Sequence, residues 1–285
     1  MKIGFIGGDG RMSRVARRFE GRGAEVCTLA LPSDAPTPLP SPDGLAGVDA
    51  MVLPLPVTRD GIRPTAGAGC TPPDFAEIFA RAGGDVPLFG GAIPPSLARA
   101  AEAAGVRLID YYLDEALLQE NAYTTAEGAV TMAARELPVN LRGACFAIVG
   151  SGRIARALCT LLLAVGARVR VYARNPVALA SLAARGAEPE LFSGDGRPVI
   201  FPDARAVFST VPAPVLDGAA LCELVPGTPV YDLGGGGVCR ETAKMRGLPT
   251  PDCAALPGRY SPESAADALF DSLLRVMARE GVTVE

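Results

Sequence analysis

Phe146-Ala-Ile-Val-Gly150-Ser-Gly152-Arg-Ile-Ala155, continued from Arg156 to Asn175 as RALCTLLLAVGARVRVYARN, is the stretch that decides how this chain folds. The run Phe146 to Val149 has the composition of a buried parallel strand and leads straight into a glycine turn. Gly150-x-Gly152-x-x-Ala155 is the dinucleotide fingerprint with a small third residue. The first glycine serves the tight turn, the second lets backbone approach a pyrophosphate, and the third position lets helix and strand pack closely. Ile154, Ala155, Leu158, Leu161, Leu162 and Val165 then form one apolar face at the helical period, and Gly166 ends the helix. From Ala167 to Ala173, Val169 and Val171 alternate with Arg168 and Arg170 as a second strand. An NAD site places an acid at this strand's end to hold the ribose 2′-hydroxyl. Arg174 stands there, beside Asn175, and an arginine suits a 2′-phosphate, so NADP is favoured over NAD. Gly150, Ser151, Gly152, Arg153, Ile154, Arg174 and Asn175 are therefore the expected cofactor residues. The competing reading is that the glycines only make a tight turn.

Composition narrows the rest. A chain of 285 residues, 49% hydrophobic, can bury two domain cores. A net charge of −4 argues against a nucleic-acid surface. No apolar run reaches membrane length and the start MKIGFIGG lacks signal-peptide features, which predicts a soluble cytoplasmic protein. Seven scattered cysteines without a C-x-x-C pair read as reduced core residues, with no metal site expected. The complete absence of histidine excludes a histidine base, a histidine metal ligand and a Ser-His-Asp triad. Lysine occurs only at Lys2 and Lys244.

A second strand-turn-helix-strand pattern opens the chain, with Lys2 to Ile6, the turn Gly7-Gly-Asp-Gly10, a helix from Arg11 to Arg22 and a strand to Leu31. It is the poorer nucleotide candidate, because it departs from G-x-G-x-x-G and places Asp9 where a phosphate would lie. Further strand and helix patterns run to Asp110. Thr124-Thr-Ala-Glu127 has the form of a capping box, Thr124 as N-cap and Glu127 at N3, predicting a helix that opens there and runs to about Glu136. Two readings stay open: a capped linking helix, or a helix N-terminus that brings Thr125 and Glu127 to an anionic substrate. Thr210-Val211-Pro212 ends a strand where the cofactor's second ribose would lie, and Gly234 opens four consecutive glycines that let backbone approach a ligand. A glycine- and proline-rich loop is expected from Phe192 to Asp203, and a last helix starts at Ser261 with Pro262 at N1. The expected fold is α/β, with two Rossmann-like doubly wound parallel-sheet domains around an interdomain cleft and a C-terminal helix returning to the first. The expected boundaries are 1–122 for the substrate domain, 123–140 for the linking helix, 141–258 for the NADP domain and 259–285 for the terminal helix.

The chain resembles a family, the A subunits of dipicolinate synthase from spore-forming bacteria. The resemblance runs through Ile6-Gly-Gly-Asp-Gly-Arg11, Leu53-Pro-Leu-Pro56, Asn121-Ala-Tyr-Thr-Thr-Ala-Glu-Gly-Ala129, Val149-Gly-Ser-Gly-Arg153, Thr210-Val-Pro212, Tyr231-Asp-Leu233, Leu256-Pro-Gly258 and Ser261-Pro262. It departs at Ser261 to Ala266, where the family has a segment nearer A-P-K-T-A-G, and at Gly234 to Gly237, where A-S-x-P-G-G is more typical. The resemblance implies oxidation of a dihydrodipicolinate to pyridine-2,6-dicarboxylate, alongside the flavoprotein-like B subunit of dipicolinate synthase, in the mother cell during sporulation. It also raises Thr125 and Glu127 as substrate-site residues.

This reaction removes one hydride and one proton and is driven by aromatisation, which fits a chain without histidine. Glu127 or Asp9 is the expected proton acceptor, with Thr125 beside it. Arg11, Asn121 and Arg259 are the expected substrate contacts, the guanidinium forks suiting two carboxylates. Histidine-dependent 2-hydroxyacid and alanine dehydrogenases lack their acid/base here, and a shikimate-type enzyme would want a lysine in the first domain. A catalytically silent nucleotide-binding partner, another NADP-dependent two-domain dehydrogenase and a homodimer all stay open.

Overall fold

The structure, a computed structural model, describes residues 1–192, 200 and 202–284. Most of the glycine- and proline-rich stretch expected from Phe192 to Asp203 lies outside the described residues. The chain divides into two compact units, Met1–Asn121 with Ser261–Glu285, and Ala122–Tyr260.

The first unit holds five parallel strands: β1 (Lys2–Ile6), β2 (Glu25–Leu29), β3 (Ala50–Val52), β4 (Leu88–Gly90) and β5 (Leu108–Asp110). They lie in the order β2-β1-β3-β4-β5. This is the flavodoxin-like variant of the doubly wound sheet, with its topological switch point between β1 and β3. Helices α1 (Gly10–Gly21), α2 (Phe75–Ala82) and α3 (Pro95–Ala103) cross between strands. Alternation along β1 builds the two faces. Ile3 and Phe5 enter one core with Met12, Val15 and Phe19 of α1, whereas Ile6 enters the other with Ile78 and Phe79 of α2.

Helix α4 (Glu115–Glu136) is continuous for 22 residues, and the division between the units falls inside it, between Asn121 and Ala122. The helix predicted to open at Thr124 therefore begins nine residues earlier. Thr124 is not an N-cap, and the backbone N–H groups of Thr125 to Glu127 lie in mid-helix with no free N-terminus to offer an anion. The preceding residues from Glu115 are mostly good helix formers, so Thr124 and Glu127 are one buried and one exposed residue of a helix that is already propagating.

In the second unit, β6 (Cys145–Val149), β7 (Arg168–Ala173), β8 (Glu188–Leu191), β9 (Ala204–Ser209) and β10 (Val230–Asp232) are all parallel, in the order β10-β9-β6-β7-β8. That is the dinucleotide-binding order 3-2-1-4-5, with its switch point between β6 and β9. Helices α5 (Arg153–Ala164), α6 (Pro176–Ala183), α7 (Gly218–Cys222), α8 (Arg240–Met245) and α9 (Leu256–Tyr260) complete it. Phe146 and Ile148 enter one core with Ala126, Ala129 and Met132 of α4, and Ala147 and Val149 enter the other. Gly166 takes φ +77° behind α5, as its place after the helix requires. Edge strand β8 carries no apolar run. Its ion pairs from Glu188 to Arg168 and Arg170 and its place at the edge, where proline is tolerated, explain Glu-Pro-Glu-Leu there.

The last helix, α10 (Pro262–Arg279), belongs to the first unit and packs on α1, with Phe270 edge-on to Phe19 at 4.8 Å and Arg18 paired with Asp267. Arg275 of α10 donates to buried Asp114 at 3.0 Å. Burial acts to raise the Asp114 carboxyl pKa, but the Arg275 hydrogen bond and charge outweigh it and hold it below the ordinary 3.8. A lowered folded-state value contributes stability above the unfolded pKa that is lost as pH falls through the folded one. Asp114→Asn is therefore expected to lower Tm at pH 6, by the equivalent of about 1 kcal/mol because half-exposed Arg275 is screened. The deficit should shrink below about pH 4. Melting curves of both proteins from pH 6 to 2.5 check this, and a deficit that stays constant to pH 2.5 would rule out the ion pair as its source.

Candidate functional site

Two glycine turns end the first strands of the two units, and their environments differ. In the first unit the turn is closed by its own chain. Gly7 N donates to Leu29 O, Gly8 N to Thr65 O at 2.7 Å, and Gly67 N to Gly8 O. A Cβ on Gly7 would stand 2.7 Å from Thr65 O, so that glycine is required by chain packing. Helix α1 is capped by Asp9, whose carboxylate accepts from Arg11 N. A negative charge already occupies the place a phosphate would take.

In the second unit the turn is open. Gly150 takes φ +116° and its N–H donates to Tyr172 O at 2.8 Å, which holds the turn beside the end of β7. Gly152 is the N-cap of α5 and gives it no side-chain cap, and a Cβ built on Gly152 would meet nothing within 4 Å. A 12-residue helix thus begins without a side-chain cap, and an uncapped helix N-terminus is the arrangement that receives an anion. A cavity of about 280 Å³ lies over the carboxyl ends of these strands, lined by Gly150, Ser151, Ala173, Arg174, Asn175, Phe192, Val211 and Val215. Five residues expected at the cofactor are brought together there. Phe192 and Val215 belong to no motif, and only the sheet order brings them to this edge.

Arg174 is exposed, and it has no hydrogen-bond or ion-pair partner among the described residues. Its neighbours on β7 differ: Arg168 and Arg170 are held by Glu188 and Asp203. Asn175 spends its side-chain oxygen on α6, accepting from Val177 N and Ala178 N, and lines the cavity beside Arg174. Arg153 and Ile154 form the first turn of α5. Thr210 donates both N–H and hydroxyl to Val149 O across the β6–β9 switch point, and Val211 and Pro212 follow it. Gly234 packs against that segment so closely that a Cβ would lie 2.6 Å from Val211 C and O. Gly235, Gly236 and Gly237 donate to the Asp232 carboxylate, so the four glycines form a folded turn around Asp232 rather than an open loop.

The remaining expected site residues are placed as follows. Glu127 is exposed on α4, with no hydrogen-bond or ion-pair partner among the described residues, and Thr125 is buried two residues before it. Asn121 donates to the Tyr112 hydroxyl at 3.0 Å. Arg259 is tied to the Asp252 and Ala254 carbonyls and lies over the Tyr260 ring. Asp9 and Arg11 form a bidentate pair at the first unit's switch point. Burial pushes the pKa of the Tyr111 hydroxyl up, and burial with the Glu136 hydrogen bond does the same for Tyr231. Burial, helped by Asp232, pushes the Cys253 thiol up to about 11. No helix among the described residues is long and apolar enough to cross a membrane.

Residues 2–112 match the N-terminal domain family of the dipicolinate synthase A subunits. The chain is 23% identical to the A subunit of dipicolinate synthase from Bacillus subtilis (strain 168), over 98% of this chain and 96% of that protein. Its structure resembles that of the dipicolinate synthase A subunit from Bacillus halodurans with a TM-score of 0.86 and 25% identity, over 97% of each chain. An L-alanine dehydrogenase shares the fold, with a TM-score of 0.65 and 16% identity over 99% of this chain and 91% of that one. The likeness to the dipicolinate synthase A subunits therefore covers the sequence and the fold alike, and both units carry the doubly wound parallel sheet.

Proposed function

We propose that this relative of the dipicolinate synthase A subunits is an NADP-dependent oxidoreductase that converts a dihydrodipicolinate to pyridine-2,6-dicarboxylate. The observation that carries the reading is the asymmetry of the two glycine turns. The second unit leaves a helix N-terminus without a side-chain cap beside an arginine unpaired among the described residues, and the first unit closes its own turn with Thr65 and Asp9. The turn, the lack of any Cβ contact at Gly152 among the described residues and the exposed Arg174 fit a 2′-phosphorylated dinucleotide.

In this reading the α5 N-terminus, from Gly152 through Arg153 and Ile154, holds the pyrophosphate. Arg174 and the Asn175 amide hold the 2′-phosphate, with Gly150 and Ser151 forming the turn beneath. Thr210, Val211, Pro212 and Gly234 line the path toward the second ribose. The nicotinamide, when bound, supplies the hydride acceptor. The substrate gives up a hydride from carbon and a proton, and its ring becomes aromatic. Glu127 takes the proton and passes it to solvent, with Thr125 and Asn121 as polar neighbours on α4 and Arg259 as a further carboxylate contact. The reading includes the flavoprotein-like B subunit of dipicolinate synthase as partner and a place in the mother-cell cytoplasm. Among the rivals, a silent nucleotide-binding partner keeps the same cofactor geometry and loses only the turnover.

The test is the purified chain with NADP⁺ and freshly made dihydrodipicolinate, with and without the B subunit, following NADPH and pyridine-ring absorbance together. Turnover by the chain alone supports the enzyme. Tight NADPH binding with turnover only when the partner is added, and equal turnover by Glu127→Gln in that mixture, would favour the silent partner.

A further inference from the structure

We propose that Arg11 is a pre-oriented receptor for one carboxylate of the substrate, and that Asp9 is its positioning residue rather than a proton acceptor. The inference rests on the dicarboxylate reading above for its substrate and on the first unit's own geometry for the residues.

The guanidinium of Arg11 carries five N–H donors in a planar fork. Three are committed within the chain. Nε donates to Asp9 Oδ1 and Oδ2 at 3.0 and 3.1 Å, and Nη2 donates to Asp9 Oδ2 and to Leu55 O, each at 2.9 Å. The two donors of Nη1 have no partner among the described residues. Arg11 is only 8% exposed, yet Nη1 is not among the buried unpartnered side-chain atoms, which among the described residues are the hydroxyls of Ser13, Thr65 and Ser209. One nitrogen of a nearly buried arginine is thus presented outward while the rest is anchored.

The anchors come from the two strands that flank the switch point. Asp9 and Arg11 follow β1, and Leu55 follows β3. Carboxyl ends of strands at a switch point are where open α/β sheets bind ligands. Two of the unpartnered hydroxyls belong to the same corner: Ser13 N–H reaches Asp9 O, and the Thr65 carbonyl accepts from Gly8 N. Buried hydroxyls without partners call for a polar companion.

The same contacts give Asp9 its positioning role: its oxygens accept from Arg11 N, Nε and Nη2 and so aim the guanidinium. A lysine could not replace Arg11, since one ammonium cannot hold Asp9, Leu55 O and a ligand in a fixed plane.

Isothermal titration of the full chain with pyridine-2,6-dicarboxylate, and separately with malonate, tests this, with NADPH affinity as the control. Arg11→Gln should weaken dicarboxylate binding about tenfold or more and leave NADPH unchanged. Should that variant melt early, Arg11→Lys is read instead, with the same loss expected. Equal dicarboxylate affinity in wild type and either folded variant would overturn the receptor, as would a wild type that binds neither probe. Malonate bound through Arg11 with no pyridine-2,6-dicarboxylate bound would keep the receptor and overturn the substrate. For Asp9→Asn the expected result in turnover by the complex is a raised KM with kcat and its acid limb retained. A fall in kcat with a flattened acid limb would make Asp9 the base and overturn its positioning role.

Discussion

Arg174→Ala is expected to weaken NADPH binding by roughly 10- to 100-fold and to leave NADH within about threefold of wild type, the size of a lost charge-assisted contact. The expectation depends on Arg174 being exposed and having no partner among the described residues. Arg168 and Arg170 stand on the same strand but are bound to Glu188 and Asp203, and burying a phosphate against either would first break those pairs. Arg174 lies just past the strand, lining the same cavity as Gly150 and Ser151. Fluorescence titration with both nucleotides measures the effect. An equal loss for NADPH and NADH would mean that Arg174 supports the turn and does not read the 2′-phosphate.

The second large effect separates the two glycines of the fingerprint. At Gly150 a Cβ would stand 2.2 Å from Thr210 Oγ1 and 3.1 Å from Val211 Cγ2, on a backbone with φ +116°. Gly150→Ala must therefore push Thr210 off Val149 O and strain the turn, at about 1–3 kcal/mol for the backbone alone. Both Tm and NADPH affinity should fall. Gly152 has an ordinary φ of −74° and open space around its Cβ position. Gly152→Ala should leave Tm within about 2 °C while weakening NADPH about tenfold, because the added methyl occupies the side from which a pyrophosphate approaches. Melting curves and titrations of the pair check this. A Gly152→Ala variant that binds NADPH like wild type would place the pyrophosphate elsewhere.

Much of the second unit was legible because its signals are local. Glycine spacing, the apolar face of α5, the alternation of β7 and the arginine after it lie within thirty consecutive residues and concern neighbours in the fold. Local pattern misled at Thr124 to Glu127, where the letters of a capping box sit inside a helix already propagating from Glu115. A capping box marks a helix start only where the preceding residues are not helical. Strand β8 has no local signature, because it is held by Arg168 and Arg170, twenty and eighteen residues from Glu188, and carries no apolar run of its own. At 234 to 237 the glycine run is legible but its fold is not, because the close approach of Gly234 to Val211 and the hydrogen bonds of Gly235 to Gly237 to the Asp232 carboxylate depend on tertiary packing.

By itself, the sequence determined that there are two strand-turn-helix units, that the second carries a dinucleotide fingerprint ending in arginine, and that no histidine chemistry is available. Each follows from residue identity or from spacing along one element. Only the tertiary structure decided that the first sheet runs 2-1-3-4-5 and the second 3-2-1-4-5, that Thr65 closes the first glycine turn, and that Leu55, 44 residues from Arg11, fixes the plane of its guanidinium. Strand order and long-range hydrogen bonds depend on which distant segments pack together, and no single stretch of chain carries that information.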